Sequence, residues 1–206
     1  MFMHFYKEGL NIYFVHIPRT GGRYVKKLLL SNQFKSNFDC PAEIYYKGIE
    51  LMHLHESLLN DFNIYKNSKK FTIVRDPLSR FISAARIDLD LHFSLNWKLD
   101  TVDNVLDYIT FQKNGLGSFG NNWFRPQWEF VNENCLVWRF EDGFGENFKN
   151  FLLDKLNISL YNLNIDWKDN FNKNLNSINF NMEIVKKAVS IAYKIDYDKF
   201  YRLPSG

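Results

Sequence analysis

A chain of 206 residues, 46% hydrophobic and 24% charged, has the composition of a folded globular protein, and its 20 Phe, 11 Tyr and 5 Trp supply ample core material. Five Pro and ten Gly are too few for a disordered or fibrous chain. A formal net charge of +3, from 26 basic and 23 acidic residues, is too small for nucleic-acid binding by bulk electrostatics.

The predicted elements run as follows. Residues 12–17, Ile-Tyr-Phe-Val-His-Ile, are an apolar run rich in β-branched and aromatic side chains, the pattern of a buried strand. Pro18 ends it, and Thr20, Gly21 and Gly22 make a turn. Tyr24, Val25, Leu28 and Leu29 recur at helical spacing with Lys26 and Lys27 outward, so a helix begins near Gly22. Residues 33–48 read as loop, 49–54 as a second strand and 56–61 as a short helical stretch. Residues 70–75 are a third strand. Asp76 is a good N-cap and Pro77 a good first residue for the next helix, which runs to about residue 89 with Leu78, Phe81, Ile82, Ala85 and Leu89 buried.

Residues 90–100 are irregular and aromatic. Residues 102–112 read as a helix capped by Asp100 or Thr101, and residues 115–122 as a flexible loop. A fourth strand covers 135–140, followed by a helix of about 144–156 with Phe148, Phe151, Leu152 and Leu156 inward. The Asn-rich stretch 162–181 is a surface loop. Residues 182–200 form a closing helix with Ile184, Val185, Ala188, Val189, Ile191, Ala192 and Ile195 inward. No repeat or linker divides the chain, so 1–206 reads as a single domain. Strands alternating with helices predict an α/β fold, a mainly parallel central sheet flanked by helices. Such sheets bind ligands at the carboxyl ends of their strands, where Arg19 and Arg75 are expected to meet.

Charge is distributed unevenly. The 18 Lys are scattered, whereas Arg19 and Arg23 share one short segment and Arg75, Arg80 and Arg86 another. Arginine suits bidentate phosphate contacts, so the clusters are either anion sites or ordinary ion pairs. Cys40 and Cys135 are too few for a disulfide framework or a zinc site; Cys135 reads as a buried thiol and Cys40 as an inert loop residue. The N-terminus lacks signal-peptide order, and no apolar run approaches the ~18 residues needed to span a bilayer. A cytoplasmic location without membrane association is the expectation.

Two motifs carry the chemistry. In His16-Ile17-Pro18-Arg19-Thr20-Gly21-Gly22-Arg23-Tyr24, the glycines permit close backbone approach to an anion, Thr20 offers a hydroxyl and Arg19 a fixed charge. It is not a Walker A loop, and alone it is equally an ordinary strand-turn-helix joint. In Arg75-Asp76-Pro77-Leu78-Ser79-Arg80-Phe81-Ile82-Ser83, Arg75 ends a strand and Arg80 and Ser83 lie one turn apart on the following helix. The three either chelate a phosphate or serve ion pairing and helix packing.

Together, in this order and about 55 residues apart, these motifs resemble the sulfotransferases that use 3′-phosphoadenosine 5′-phosphosulfate (PAPS), above all the carbohydrate branch of heparan sulfate 2-O type. The resemblance continues through Val137-Trp138-Arg139-Phe140-Glu141-Asp142 and the closing Tyr193-x-x-Asp196-Tyr197-x-x-Phe200 pattern. It implies a P-loop-kinase-like sulfotransferase fold and sulfuryl transfer from PAPS to a hydroxyl acceptor, most naturally a carbohydrate, with adenosine 3′,5′-bisphosphate (PAP) as product. The resemblance then implies that Thr20, Gly21 and Gly22 form the 5′-phosphosulfate loop, that Arg19 contacts the phosphosulfate and steadies the leaving group, and that Arg75 and Ser83 hold the 3′-phosphate, while the adjoining Pro18, Arg23, Tyr24 and Arg80 are further cofactor-binding candidates. The family's base is often a His after the second strand, which is His55 here, with His53 as second candidate.

The departures are Arg19 where lysine is usual, and Arg23 and Tyr24 where Thr and Ser are usual. Arginine cannot release a proton to a leaving group. His4, His16 and His92 read as structural, and no metal motif is present; two His at i, i+2 lack the i, i+4 spacing of a zinc pair. His92, Trp97, Trp123, Arg125 and Trp128 are candidates for an acceptor rim, Trp128 fitting a core position better. A P-loop-like nucleotide kinase and a non-catalytic nucleotide- or glycan-binding module are the rival readings.

Overall fold

A computed structural model describes residues 3–36, 45–91, 97–113, 122–163 and 179–202. A five-stranded sheet is built from β1 (His4–Lys7), β2 (Leu10–Val15), β3 (Lys35–Ser36), β6 (Lys69–Val74) and β7 (Cys135–Arg139), in the order β3-β1-β2-β6-β7. The strands β2, β6 and β7 are parallel, whereas β1 pairs antiparallel with both β2 and β3. The sheet is thus parallel only in part. The antiparallel edge arises because Glu8 and Gly9 both take positive φ (48° and 80°), which makes the two-residue hairpin joining β1 to β2.

Both faces of the middle strands are covered, which explains their continuous apolar runs. Ile12 and Phe14 of β2 and Phe71 and Ile73 of β6 face α1 (Gly22–Ser31) and α6 (Glu146–Leu156), meeting Leu28, Leu29, Phe148 and Leu152. Tyr13, Val15 and Val74 face the opposite layer, with Leu59 of α2 (Glu56–Leu59), Tyr65 of α3 (Asn63–Lys66) and Phe130. A third cluster joins α4 (Pro77–Leu91), α5 (Val102–Lys113) and α7 (Met182–Ala192) through Phe81, Ala85, Tyr108, Ala188 and Val189.

Two expected caps are in place: Ser79 N donates to Asp76 Oδ1 (2.8 Å) and Asn104 N to Thr101 Oγ1 (3.1 Å). Elsewhere the structure corrects the sequence reading. The strand expected over 49–54 is a separate small hairpin, β4 (Tyr45–Tyr46) and β5 (Ile49–Glu50), running into a 3₁₀ turn at Leu51–His53. Lys47 and Gly48 at positive φ turn that hairpin back on itself and keep it out of the central sheet.

The closing helix is two helices, α7 and α8 (Lys194–Phe200), broken at Tyr193 (φ −115°, ψ 30°). The buried Tyr193 hydroxyl donates to Phe124 O (2.8 Å) and the buried Asp196 is bonded elsewhere, so α8 takes its own direction. Ile191 and Ile195, expected inward, are 54% and 52% exposed. Cys135 is buried, and burial pushes its thiol up to about 12. Cys40, His92, residues 115–121 and most of 162–181 lie outside the described residues. Among the described residues, no helix is long and apolar enough to cross a membrane.

Candidate active site

Because β2 and β6 are parallel neighbours, the segments that follow them leave the sheet at the same edge. After β2 the chain passes through His16, Ile17 and Pro18 to Arg19, whose φ of 69° is left-handed. A non-glycine residue held there costs about 1–3 kcal/mol, a strain that accumulates at functional turns. Thr20, fully buried, donates its hydroxyl to Ile17 O (2.8 Å) and so closes the turn from inside. Gly21, at φ 95°, precedes the first residue of α1 and places no side chain over the helix N-terminus. A Cβ on Gly22 would lie 2.1 Å from the His16 ring, so His16 occupies the space beneath the turn and Gly22 is obligatory above it. The result is a ten-residue helix whose first-turn N–H groups open on the rim, the arrangement that attracts anions.

The second segment supplies the charge. The Arg19 guanidinium donates to Ser83 Oγ through Nε (3.1 Å) and Nη2 (2.9 Å), bridging from the loop to α4. It also lies 5.9 Å from the Trp123 ring centroid. Arg75 donates through Nη1 to Arg19 O (3.2 Å) and rests on the Phe140 ring (4.7 Å). Burial, with Arg23 and Arg75 nearby, pushes Arg19 down to about 10, which still leaves it charged at neutral pH. Burial lowers Arg75 as well, against the opposing pull of Glu141, Asp76 and Tyr201. Two crowded, part-buried cations are a site that a polyanion relieves.

Arg80 is occupied differently. It is fully enclosed, and its Nε, Nη1 and Nη2 donate to Pro18 O (3.0 Å), Arg125 O (2.9 Å) and Trp123 O (2.9 Å). Its fork ties the loop and the 122–128 segment to α4. Tyr24 turns its ring onto Phe144 (4.5 Å) and its hydroxyl toward Phe144 O (3.5 Å), within the core beneath α1. Arg23 is exposed on the helix. Arg19, Arg75, Ser83 and the Gly21–Gly22 turn therefore come together at the rim, while Thr20, Tyr24 and Arg80 shape it from behind.

The histidines divide by depth. His16 and His53 are buried with rings 5.0 Å apart, and His16 Nδ1 has no hydrogen-bond partner. Burial, together with His53, Arg23 and Arg19, holds His16 well below the ordinary histidine range. His53 Nδ1 is 2.9 Å from Glu50 Oε2, though not aligned for a hydrogen bond. His55 is half-buried at the start of α2, its Nδ1 2.9 Å from Ser57 Oγ. Burial and then Arg125 lower its pKa, against Glu129 and Glu56. Arg125 donates to Asn122 Oδ1 (3.0 Å) and pairs with Glu129, and Asn122 Nδ2 donates to His53 O (2.9 Å), so one network ties the His53–His55 turn to the 122–129 segment.

Residues 3–86 match the family model described as Sulfotransferase family. The match supports a sulfotransferase. It covers β1 through the first ten residues of α4, and so includes Arg19, the glycine turn, both candidate bases, Arg75 and Ser83. The mixed α/β architecture, a five-stranded sheet flanked by helices, is consistent with a sulfotransferase fold. No curated protein and no solved structure matches the chain.

Two parts of this rim carried no sequence assignment. Gln127, fully buried in the 3₁₀ turn Gln127–Phe130, accepts from Arg75 N (2.9 Å) and donates to Arg75 O (2.8 Å). Glu141 accepts from Asp76 N (2.7 Å) and from the Tyr201 hydroxyl (3.0 Å). Gln127 sits in an irregular stretch without a pattern to flag it, whereas Glu141 lies inside a motif already singled out. Trp97 packs on Tyr108 and Phe111, and Trp128, expected in the core, is 37% exposed.

Proposed function

We propose that the chain transfers a sulfuryl group from PAPS to a hydroxyl acceptor by in-line displacement, with His55 as base. The single observation that carries this reading is the convergence of Arg19, Ser83 and Arg75 beside the glycine turn at the end of parallel strands. The glycine turn suits a 5′-phosphosulfate, since Gly21 and Gly22 bring no side chains of their own to the N-terminus of α1, and no side chain caps Gly21 with a hydrogen bond. Arg75 and Ser83 suit the 3′-phosphate. The donor is a substrate that arrives with its sulfate already activated.

His55 Nε2 takes the acceptor proton as the acceptor oxygen bonds to sulfur. The bridging bond to the 5′-phosphate breaks, and that phosphate oxygen leaves with the electron pair. Arg19 stabilises the charge appearing there by its fork, without giving up a proton. A lowered His55 pKa keeps the base neutral at pH 7. Among the described residues, no group of three or more His, Cys, Asp or Glu could hold a metal ion. The acceptor in this reading is a carbohydrate, for which the exposed Trp128 and the part-buried Trp123 offer stacking surfaces.

The test is sulfuryl transfer from PAPS to a panel of mono- and oligosaccharides. His55→Ala is expected to lower kcat by ~10²–10⁴-fold, the range of general-base catalysis, and to leave PAP affinity within a factor of two. Turnover unchanged in that variant but lost in His53→Ala would move the base to His53. Absence of transfer and of PAP binding in the wild-type protein would reject the reading.

A further inference from the structure

We infer that Gln127 and Asp196 are positioning residues for the donor's 3′-phosphate, setting Arg75 through its backbone; the inference rests on the assignment of Arg75 to that phosphate. Arg75 is the first residue beyond β6, where the ladder to β7 has just ended at the Val74–Arg139 pair. A strand-end residue has lost its neighbour's hydrogen bonds, and its φ and ψ are then free to wander. Gln127 removes that freedom. Its carboxamide accepts from Arg75 N at 2.9 Å and donates to Arg75 O at 2.8 Å, the exchange that a pairing strand would make.

Gln127 is itself fixed from the far end of the chain. Asp196 Oδ2 accepts from Gln127 N and Oδ1 from Trp128 N, both at 2.9 Å. Gln127 and Asp196 are both fully buried. Burial raises the Asp196 pKa, and the two N–H donors, with Arg80 nearby, act in the opposite sense. A buried carboxylate chelating two consecutive amides is costly unless both bonds are made, so this clamp holds one geometry. The link therefore runs from α8 through two consecutive amides to a side-chain amide, and from there to the backbone of the phosphate-holding arginine. Tyr193, at the head of α8, adds a second tie by donating to Phe124 O. The closing Tyr-x-x-Asp pattern is in this way part of the donor site although it touches no ligand.

The experiment compares PAP with adenosine 5′-monophosphate, which differs only in lacking the 3′-phosphate, by calorimetric titration of the full chain. Gln127→Met keeps the volume and removes both bonds; it is expected to weaken PAP at least tenfold and to leave the monophosphate within twofold. Asp196→Asn, which loses one of the two acceptor oxygens, is expected to act in the same direction. An unchanged ratio of the two affinities in both variants, or equal weakening of both ligands, overturns the inference, because a merely structural role moves both together.

Arg75→Ala separates this inference from the one beneath it. If that variant also leaves the ratio unchanged, the 3′-phosphate assignment falls and takes the positioning role with it; if Arg75→Ala changes the ratio and Gln127→Met does not, only the positioning role falls. Should neither Gln127 nor Asp196 variant fold, amide hydrogen exchange in the wild-type protein decides. Binding of PAP, but not of the monophosphate, is expected to slow exchange at Arg75, Gln127 and Trp128 several-fold. Equal protection by both ligands overturns the inference.

Discussion

Arg19 shows how one side chain joins two sites. Its guanidinium stays charged at neutral pH, so its contribution there is charge and geometry. Its Nε and Nη2 bonds both end on Ser83 Oγ, a neutral acceptor, and among the described residues no carboxylate pairs with it. In the proposed reaction the proton chemistry falls to histidine, and of the candidates only His55 is partly open to solvent while its Nδ1 is engaged. A base works when unprotonated. Since burial and Arg125 hold the His55 pKa below 6.5, kcat/KM is expected to be flat from pH 8 to 7 and to fall with unit slope only below pH 6.5. Arg125→Ala removes the second of those causes, so the acid limb should move to higher pH. A limb that stays in place in this variant would separate the titrating base from His55.

Which of these residues the sequence discloses follows from how local their signals are. Arg19, Arg75 and Ser83 stand next to a strand end or one helical turn from it, so pattern alone carries them to the rim. Thr20, Tyr24 and Arg80 belong to the same motifs but point inward. Only the packing, with Phe144 above Tyr24 and three carbonyls around Arg80, reveals this. Gln127 is invisible for the opposite reason, since its partner is 52 residues away and no local pattern surrounds it.

At the scale of elements, the joint between β2 and α1 is the most tightly specified part of the molecule. Gly22 is helical and has no φ requirement, yet the His16 ring stands 2.1 Å from where its Cβ would be. Since His16 is buried against His53 and Phe14, it has little room to retreat. Gly22→Ala is expected to destabilise the fold by about 1–3 kcal/mol, the usual result of overpacking, and to weaken PAP binding by displacing the start of α1. Denaturant unfolding and titration with PAP check the two parts separately. A variant with wild-type stability would mean that the ring moves aside freely.

Elements with strong periodicity, such as β2, β6, α1 and α4, were legible in the sequence to within a few residues. The misreadings have local causes. The four residues of β1 are too short and too polar at both ends to announce a strand, and they earn their place only by pairing with β2. Helical periodicity continues through Tyr193, so nothing in the pattern marks the break between α7 and α8. The break is a tertiary matter, set by buried bonds from Tyr193 and Asp196.

For the whole molecule, the proposed donor site is a seam. The loop after β2 lies over the core shared with α1 and α6, α4 belongs to the cluster with α5 and α7, and α8 is tied to the backbone of Arg75 through Gln127. Within that seam the ties already made include Arg19 to Ser83, Arg75 to Arg19 and Arg80 to Pro18. A bisphosphate bound across Arg19, Ser83 and Arg75 adds ligand-mediated bonds between the same parts and exists only in the folded state, so it should stabilise the chain as a unit. At 100 times its dissociation constant such a ligand adds ~2.7 kcal/mol. For a chain of this length that corresponds to a rise in Tm of roughly 5–10 °C. PAP is expected to give this rise in a single cooperative transition, and ATP with magnesium to give a much smaller one, because it lacks the 3′-phosphate that the proposal assigns to Arg75. A larger rise with ATP would favour the kinase reading, and a rise with PAP that survives Arg75→Ala undiminished would put the 3′-phosphate elsewhere on the rim. Because the seam is charged and partly open, the rise should also shrink as salt increases from 50 to 500 mM, through screening of the two arginines. A salt-independent shift would point instead to binding dominated by adenine contacts.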